Sequence, residues 1–129
     1  MHLATKLRQR LASDESGFTL IELLVVLVII GILLAIAVPS YLGFKDRANN
    51  RAAQSDVRAA VPSAEAYYSD NGYYTSMSTT ALKAIDSGLS SAVTVVSAGT
   101  SQYCLKGTVS NKTAYFKGPG GTVTSTACT

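Results

Sequence analysis

An uninterrupted apolar run, residues 23–38, follows directly on Gly17-Phe18-Thr19-Leu20-Ile21-Glu22. It reads as a membrane-spanning segment with one carboxylate, Glu22, at its threshold; Thr19 is the only other polar side chain between Phe18 and Val38. A charge near hydrocarbon is costly, roughly 2.5–3.5 kcal/mol at a helix centre on insertion scales and less near the interface. Glu22 therefore requires a physical reason. Taken alone, it is compatible with a side chain snorkelling towards headgroups and equally with a specific partner.

Residues 18–38 would make about 21 residues of helix, roughly 31 Å long, against a hydrocarbon core of roughly 30 Å. A removable secretory signal is the alternative, but its apolar stretch is about 7–15 residues and ends at an Ala-x-Ala-like site. Here the run is longer and leads into Pro39-Ser40-Tyr41-Leu42, so a retained anchor is expected. Lys6, Arg8 and Arg10 precede the run, and no charge occurs from residue 23 to residue 43. That asymmetry predicts a cytoplasmic N-terminal segment and an outward-facing remainder. A plain bitopic anchor for an outer domain would show the same run.

With 129 residues the chain has room for an anchor and one modest domain. A net charge of +3 without a dense basic stripe does not by itself indicate nucleic-acid binding. Lys45, Arg47, Arg51 and Arg58, with Asp46 and Asp56, read as a solvated or intersubunit helix face; nucleic-acid contact there is permitted but unsupported. The only histidine is His2, and neither a phosphate-binding glycine loop nor a paired-carboxylate signature is present. An enzyme is therefore not expected, nor any cofactor or metal. Cys104 and Cys128 both fall on the outward side, where a lone pair is read most simply as a disulfide. It would close a loop of about 25 residues; two unlinked thiols are the alternative.

Thr19-Leu20-Ile21-Glu22 puts a carboxylate in the first turn of a helix. Beyond Pro39, small apolar residues alternate with charged ones. The expectation is a single helix over residues 18–68 with bends near Pro39 and Pro62, apolar in its first half and amphipathic in its second. Asp70-Asn71-Gly72 reads as a turn rather than a cation site, and Tyr67, Tyr68, Tyr73 and Tyr74 as packing between helix and sheet. A short helix is expected over residues 80–85. Strands follow over 92–97, 102–109 and 113–117, with a turn at Asn111-Lys112 and another at 118–121 before Val123. Asn111-Lys112-Thr113 matches an N-glycosylation acceptor by pattern, read here as a chance match at a turn. The fold class is α+β: a long N-terminal helix packed on a small antiparallel sheet of three or four strands, its end tied by the cysteine pair.

The leader, Gly17-Phe18-Thr19-Leu20-Ile21-Glu22, and the apolar span with Pro39 and Tyr41 resemble a type IV prepilin. The resemblance is specific over about residues 16–41 and architectural beyond, where the cysteine pair is similar to the disulfide-bounded region of many type IV pilins. It implies a leader over residues 1–17, a membrane and assembly helix over 18–41, and a globular domain over 42–129. It implies cleavage between Gly17 and Phe18 by prepilin peptidase, N-methylation of Phe18, and an assembly role for Glu22 against a neighbour's Phe18 amine. Spacing alone also permits pairing within one subunit. The matching proline, Pro39, bends or locally melts the helix during assembly in that family. The implied product is a homopolymer: an extracellular pilus drawn from inner-membrane prepilin with an assembly platform and minor pilins, and serving adhesion, twitching motility or DNA uptake. A type II secretion pseudopilin shares the same signal. A membrane-anchored binding module that never polymerises is the reading from another class.

Overall fold

The computed structural model describes residues 2, 4–6 and 17–129, so leader residues 1, 3 and 7–16, Arg8 and Arg10 among them, lie outside the described residues. The chain divides into two compact units, Met1–Leu42 and Gly43–Thr129. Helix α1 runs over Leu20–Asn71 and α2 over Thr79–Ile85, followed by strands β1 Val93–Ala98, β2 Tyr103–Val109, β3 Lys112–Gly118 and β4 Val123–Thr124. The strands form one antiparallel sheet in the order β1-β2-β3-β4.

Helix α1 begins two residues later than the sequence pattern suggests, because Thr19 acts as its cap, and ends three residues later. At its far end Gly72 adopts φ 76°, and its N–H donates to the Tyr68 carbonyl at 2.7 Å. Such a left-handed residue is the usual way to stop a helix. Neither Pro39 nor Pro62 interrupts the helix assignment. Each proline deprives the carbonyl four residues earlier of its donor. At Pro62 that carbonyl belongs to Arg58, and both residues are exposed, so water can supply what the helix does not.

In the outer unit α1 buries Ala53, Val57, Ala60 and Ala64 completely. Their spacing of four, three and four residues draws one stripe along the helix. The residues are small because the sheet comes very close. A Cβ added to Gly107 of β2 would lie 2.6 Å from Val57 Cγ2 and 2.8 Å from the Ala53 carbonyl oxygen. Tyr103, Leu105 and Gly107 of β2 are all buried, and Leu82, Val93, Ala114 and Phe116 complete the core with them.

The β2–β3 turn is Ser110-Asn111, not Asn111-Lys112, since Val109 pairs with Lys112. Ser110 supplies the positive φ, 54°, that a two-residue hairpin turn demands. Edge strand β1 carries an irregularity between Val95 and Ser97. The Val95 N–H there donates to Thr79 Oγ1 of α2 at 3.1 Å. Cys104 and Cys128 form a disulfide across a sequence separation of 24, joining β2 to the segment after β4.

Gly107→Val should destabilise the outer unit by about 1–3 kcal/mol through overpacking against Val57 and the Ala53 carbonyl. Replacing both cysteines by serine should cost roughly 3.5 kcal/mol on the loop-closure estimate. Denaturant titration of the full chain in detergent, followed by near-UV circular dichroism, checks both.

Candidate functional site

Residues 17–22 bring together the groups that the sequence marks for processing and assembly. Gly17 lies in a turn and is exposed, and Phe18 is 77 % exposed. Thr19 and Glu22 bond reciprocally: the Glu22 N–H donates to Thr19 Oγ1 at 3.3 Å, and the Thr19 N–H donates to Glu22 Oε2 at 3.3 Å. This is a capping box, two otherwise orphaned amides satisfied by the side chains at either end of the first turn. The helix N-terminus also favours a negative charge there by about 0.3–1 kcal/mol. Glu22 thus has a local reason for its place, and only one of its oxygens is used in it among the described residues.

Along residues 20–38 of α1 the apolar side chains are exposed. Leu20 is 87 % exposed and Leu34 still 53 %, and an 18-residue window of α1, long and apolar enough to cross a membrane, has none of its residues buried. Pro39 sits inside the helix, and the Ser40 hydroxyl donates to the Ile36 carbonyl at 3.2 Å beside it. Cys104 and Cys128 belong to the other unit.

A second polar cluster lies in the outer unit. Tyr74, from the segment after α1, and Tyr103, on β2, are 2 % and 1 % exposed. Both hydroxyls donate to one carboxylate on α1: Tyr74 to Glu65 Oε2 and Tyr103 to Glu65 Oε1, each at 2.9 Å. The rings of Tyr68, Tyr74 and Tyr103 follow one another at centroid distances of 4.7 and 4.6 Å. Burial first, then the hydrogen bond to Glu65, pushes Tyr74 up to about 12; the same causes push Tyr103 up further. The packing role of Tyr74 is legible in the sequence, whereas the link from Tyr103 to Glu65, 38 residues apart, is not. The available signal is weak: Glu65 is the one acidic residue in residues 57–69 and borders the buried stripe at Ala64.

Among the described residues no three histidine, cysteine, aspartate or glutamate side chains gather as a metal would need. Asn71 and Gly72 serve the helix end instead: Asn71 Nδ2 donates to the Tyr67 carbonyl at 2.9 Å. Asn111 of the acceptor pattern is exposed in the hairpin turn.

Residues 12–38 match the family described as the prokaryotic N-terminal methylation motif. Over 107 residues the chain is 36 % identical to the type IV wide pilus major component PilA4 of Thermus thermophilus, covering 80 % of each chain. It is also similar to type II secretion system core protein G of Escherichia coli K12, 40 % over 65 residues, covering 50 % of this chain and 45 % of that protein. The Pseudomonas aeruginosa core protein G is 44 % identical over 63 residues, 49 % of this chain and 44 % of that one. The chain thus aligns with less than half the length of these two secretion proteins.

Because Tyr74 and Tyr103 hold their protons more tightly folded than unfolded, their contribution is fully present below about pH 10. It is lost as pH rises, for Tyr74 through about 12. Melting temperature should therefore hold up to about pH 10 and fall steeply above it, and Tyr74→Phe should flatten the fall. Glu65→Ala should cost about 2–5 kcal/mol at neutral pH by leaving two buried hydroxyls without their acceptor. Thermal melts across pH, with tyrosinate absorbance as a second readout, check both.

Proposed function

The chain belongs to the type IV pilin family, and from that premise we propose that it is a structural subunit of a type IV pilus. The observation that carries the proposal is the reach of the PilA4 similarity, 80 % of both chains, which extends past the anchor into the outer unit. Prepilin peptidase hydrolyses the Gly17–Phe18 bond on the cytoplasmic side and methylates the new amine of Phe18. The leader, residues 1–17, is left behind; residues 18–41 remain as membrane anchor and later filament core, and residues 42–129 form the outward domain.

Cleavage changes the electrostatics of the site. Before it the Phe18 nitrogen is a neutral amide. Afterwards it is an amine with a reference pKa of about 7.7–8, cationic near neutrality. Glu22 then stands one helical turn from a new positive charge. A lone charge buried in a filament core would be strongly destabilising, and a good ion pair offsets much of that cost. An incoming subunit whose Phe18 ammonium meets the Glu22 of its neighbour satisfies both charges and fixes axial register. Exposed apolar side chains along residues 20–38 supply the non-specific remainder, leaving lipid for neighbouring helices. Pro39 gives this segment a place to bend or melt on the way. An assembly platform and minor pilins are the partners this route requires.

A pseudopilin of a type II secretion system is the second reading, favoured by the higher identity, 40–44 %, of the shorter core protein G matches. Deleting the gene separates the two: loss of surface filaments with secretion intact supports the pilin, and the reverse supports the pseudopilin.

Glu22→Gln separates capping from charge pairing, since glutamine keeps the capping box and loses the negative charge. The expected outcome is normal membrane insertion, normal cleavage and at least a tenfold loss of filaments by electron microscopy, with Glu22→Leu equally defective. Wild-type filament numbers for Glu22→Gln would leave Glu22 with only its local capping role.

A further inference from the structure

Cytoplasmic flanks of membrane helices ordinarily carry the excess of lysine and arginine. Here Lys45, Arg47 and Arg51 follow the apolar run on the flank read as outward. The fold adds a fourth cation from far along the sequence. Lys112, at the start of β3 beside the β2–β3 turn, lies 3.8 Å from Asp46, which brings the hairpin against this stretch of α1. Asp46, Arg47, Asn50, Asn111 and Lys112 line a groove of about 470 Å³ there. Arg47 and Arg51, four residues apart, share one helix face. Arg47 and Lys112 thus share the groove with a single carboxylate, Asp46, which Lys112 already engages, while Lys45 and Arg51 belong to the same stretch of α1.

The position of this cluster decides its chemistry. Arg47 follows Val38 by only nine residues in the sequence, so the chain itself tethers it close to the end of the apolar run. The headgroup layer occupies roughly 5–8 Å on each side of the hydrocarbon, and the long stems of arginine and lysine reach back across such a gap. Phe44, 71 % exposed, supplies an aromatic side chain of the kind enriched at that interface. Guanidinium groups match phosphate oxygens in a bidentate geometry, and the amides of Asn50 and Asn111 add neutral donors.

We propose that the groove between α1 and the β2–β3 hairpin binds the headgroups of anionic phospholipids in the outer leaflet while the subunit is membrane-anchored. The surface holds the outer unit down on the bilayer, and its release accompanies extraction into a filament. The inference rests on the membrane-anchored stage of the proposed function and not on which filament the subunit enters.

The test uses the full chain in nanodiscs of mixed phosphatidylglycerol and phosphatidylcholine. Native mass spectrometry counts the lipids retained, and hydrogen exchange follows residues 109–113. Wild type should retain phosphatidylglycerol in several-fold preference and protect the hairpin more in mixed discs than in pure phosphatidylcholine. A juxtamembrane basic residue contributes about fivefold to anionic-surface binding, so Arg47→Gln with Lys112→Gln should remove the several-fold preference, bringing it down to about one. Unchanged exchange in β2 outside the hairpin would show that the variant is folded. An equal preference in wild type and variant overturns the proposal, as does hairpin protection produced in phosphatidylcholine discs by inorganic phosphate alone. A chain that does not enter the disc at all contradicts the membrane-anchored reading instead.

Discussion

A carboxylate at the rim of hydrocarbon must be satisfied in every state the chain passes through, and the first turn of α1 meets that demand in stages. In the single chain, Thr19 and Glu22 close a capping box, so the helix can start where the apolar run starts without leaving its first amides bare. That arrangement uses the local geometry and leaves the full negative charge in place. An added cation is worth most where water is scarce, because the effective dielectric is lower there. In the proposed route the cation appears only when the Gly17–Phe18 bond is cut. The leader then has two effects: it orients the anchor, and it withholds the amine on which assembly depends.

The outer unit obeys a different constraint, the close approach of a helix and a sheet. Alanines on α1 and Gly107 on β2 let backbone meet side chain at a distance no larger residue allows. Such a flat contact gives little interlocking, and polar links supply the specificity. Glu65 takes hydroxyls from two different segments at 2.9 Å each, and the disulfide fastens the segment after β4 to β2.

Legibility in the sequence follows the range of the interactions. The anchor, the first-turn carboxylate and the glycine that ends α1 are encoded within a few residues, and the sequence displays them directly. The first three strands are recognisable from their β-prone stretches, whereas the two-residue β4 is too short to show alternation and the hairpin turn is displaced by one residue. Its position depends on which residue accepts a positive φ, and Ser110 does so without the glycine that would have announced it. The Tyr103–Glu65 bond and the Lys112–Asp46 pair join residues 38 and 66 positions apart. Little in the local sequence distinguishes Glu65, Asp46 or Lys112 from the other charged residues around them. In the candidate site the residues are all visible in sequence. Their pairing between subunits is not, because it forms between copies and after a covalent change.

The most direct measurement is the mass and N-terminal sequence of this chain recovered from sheared cell-surface material, alongside electron microscopy of that material. Thin filaments are expected whose subunit begins at an N-methylated Phe18 and carries the Cys104–Cys128 disulfide. A chain that still begins at Met1, recovered only from membranes and only as a monomer, would contradict the pilin reading.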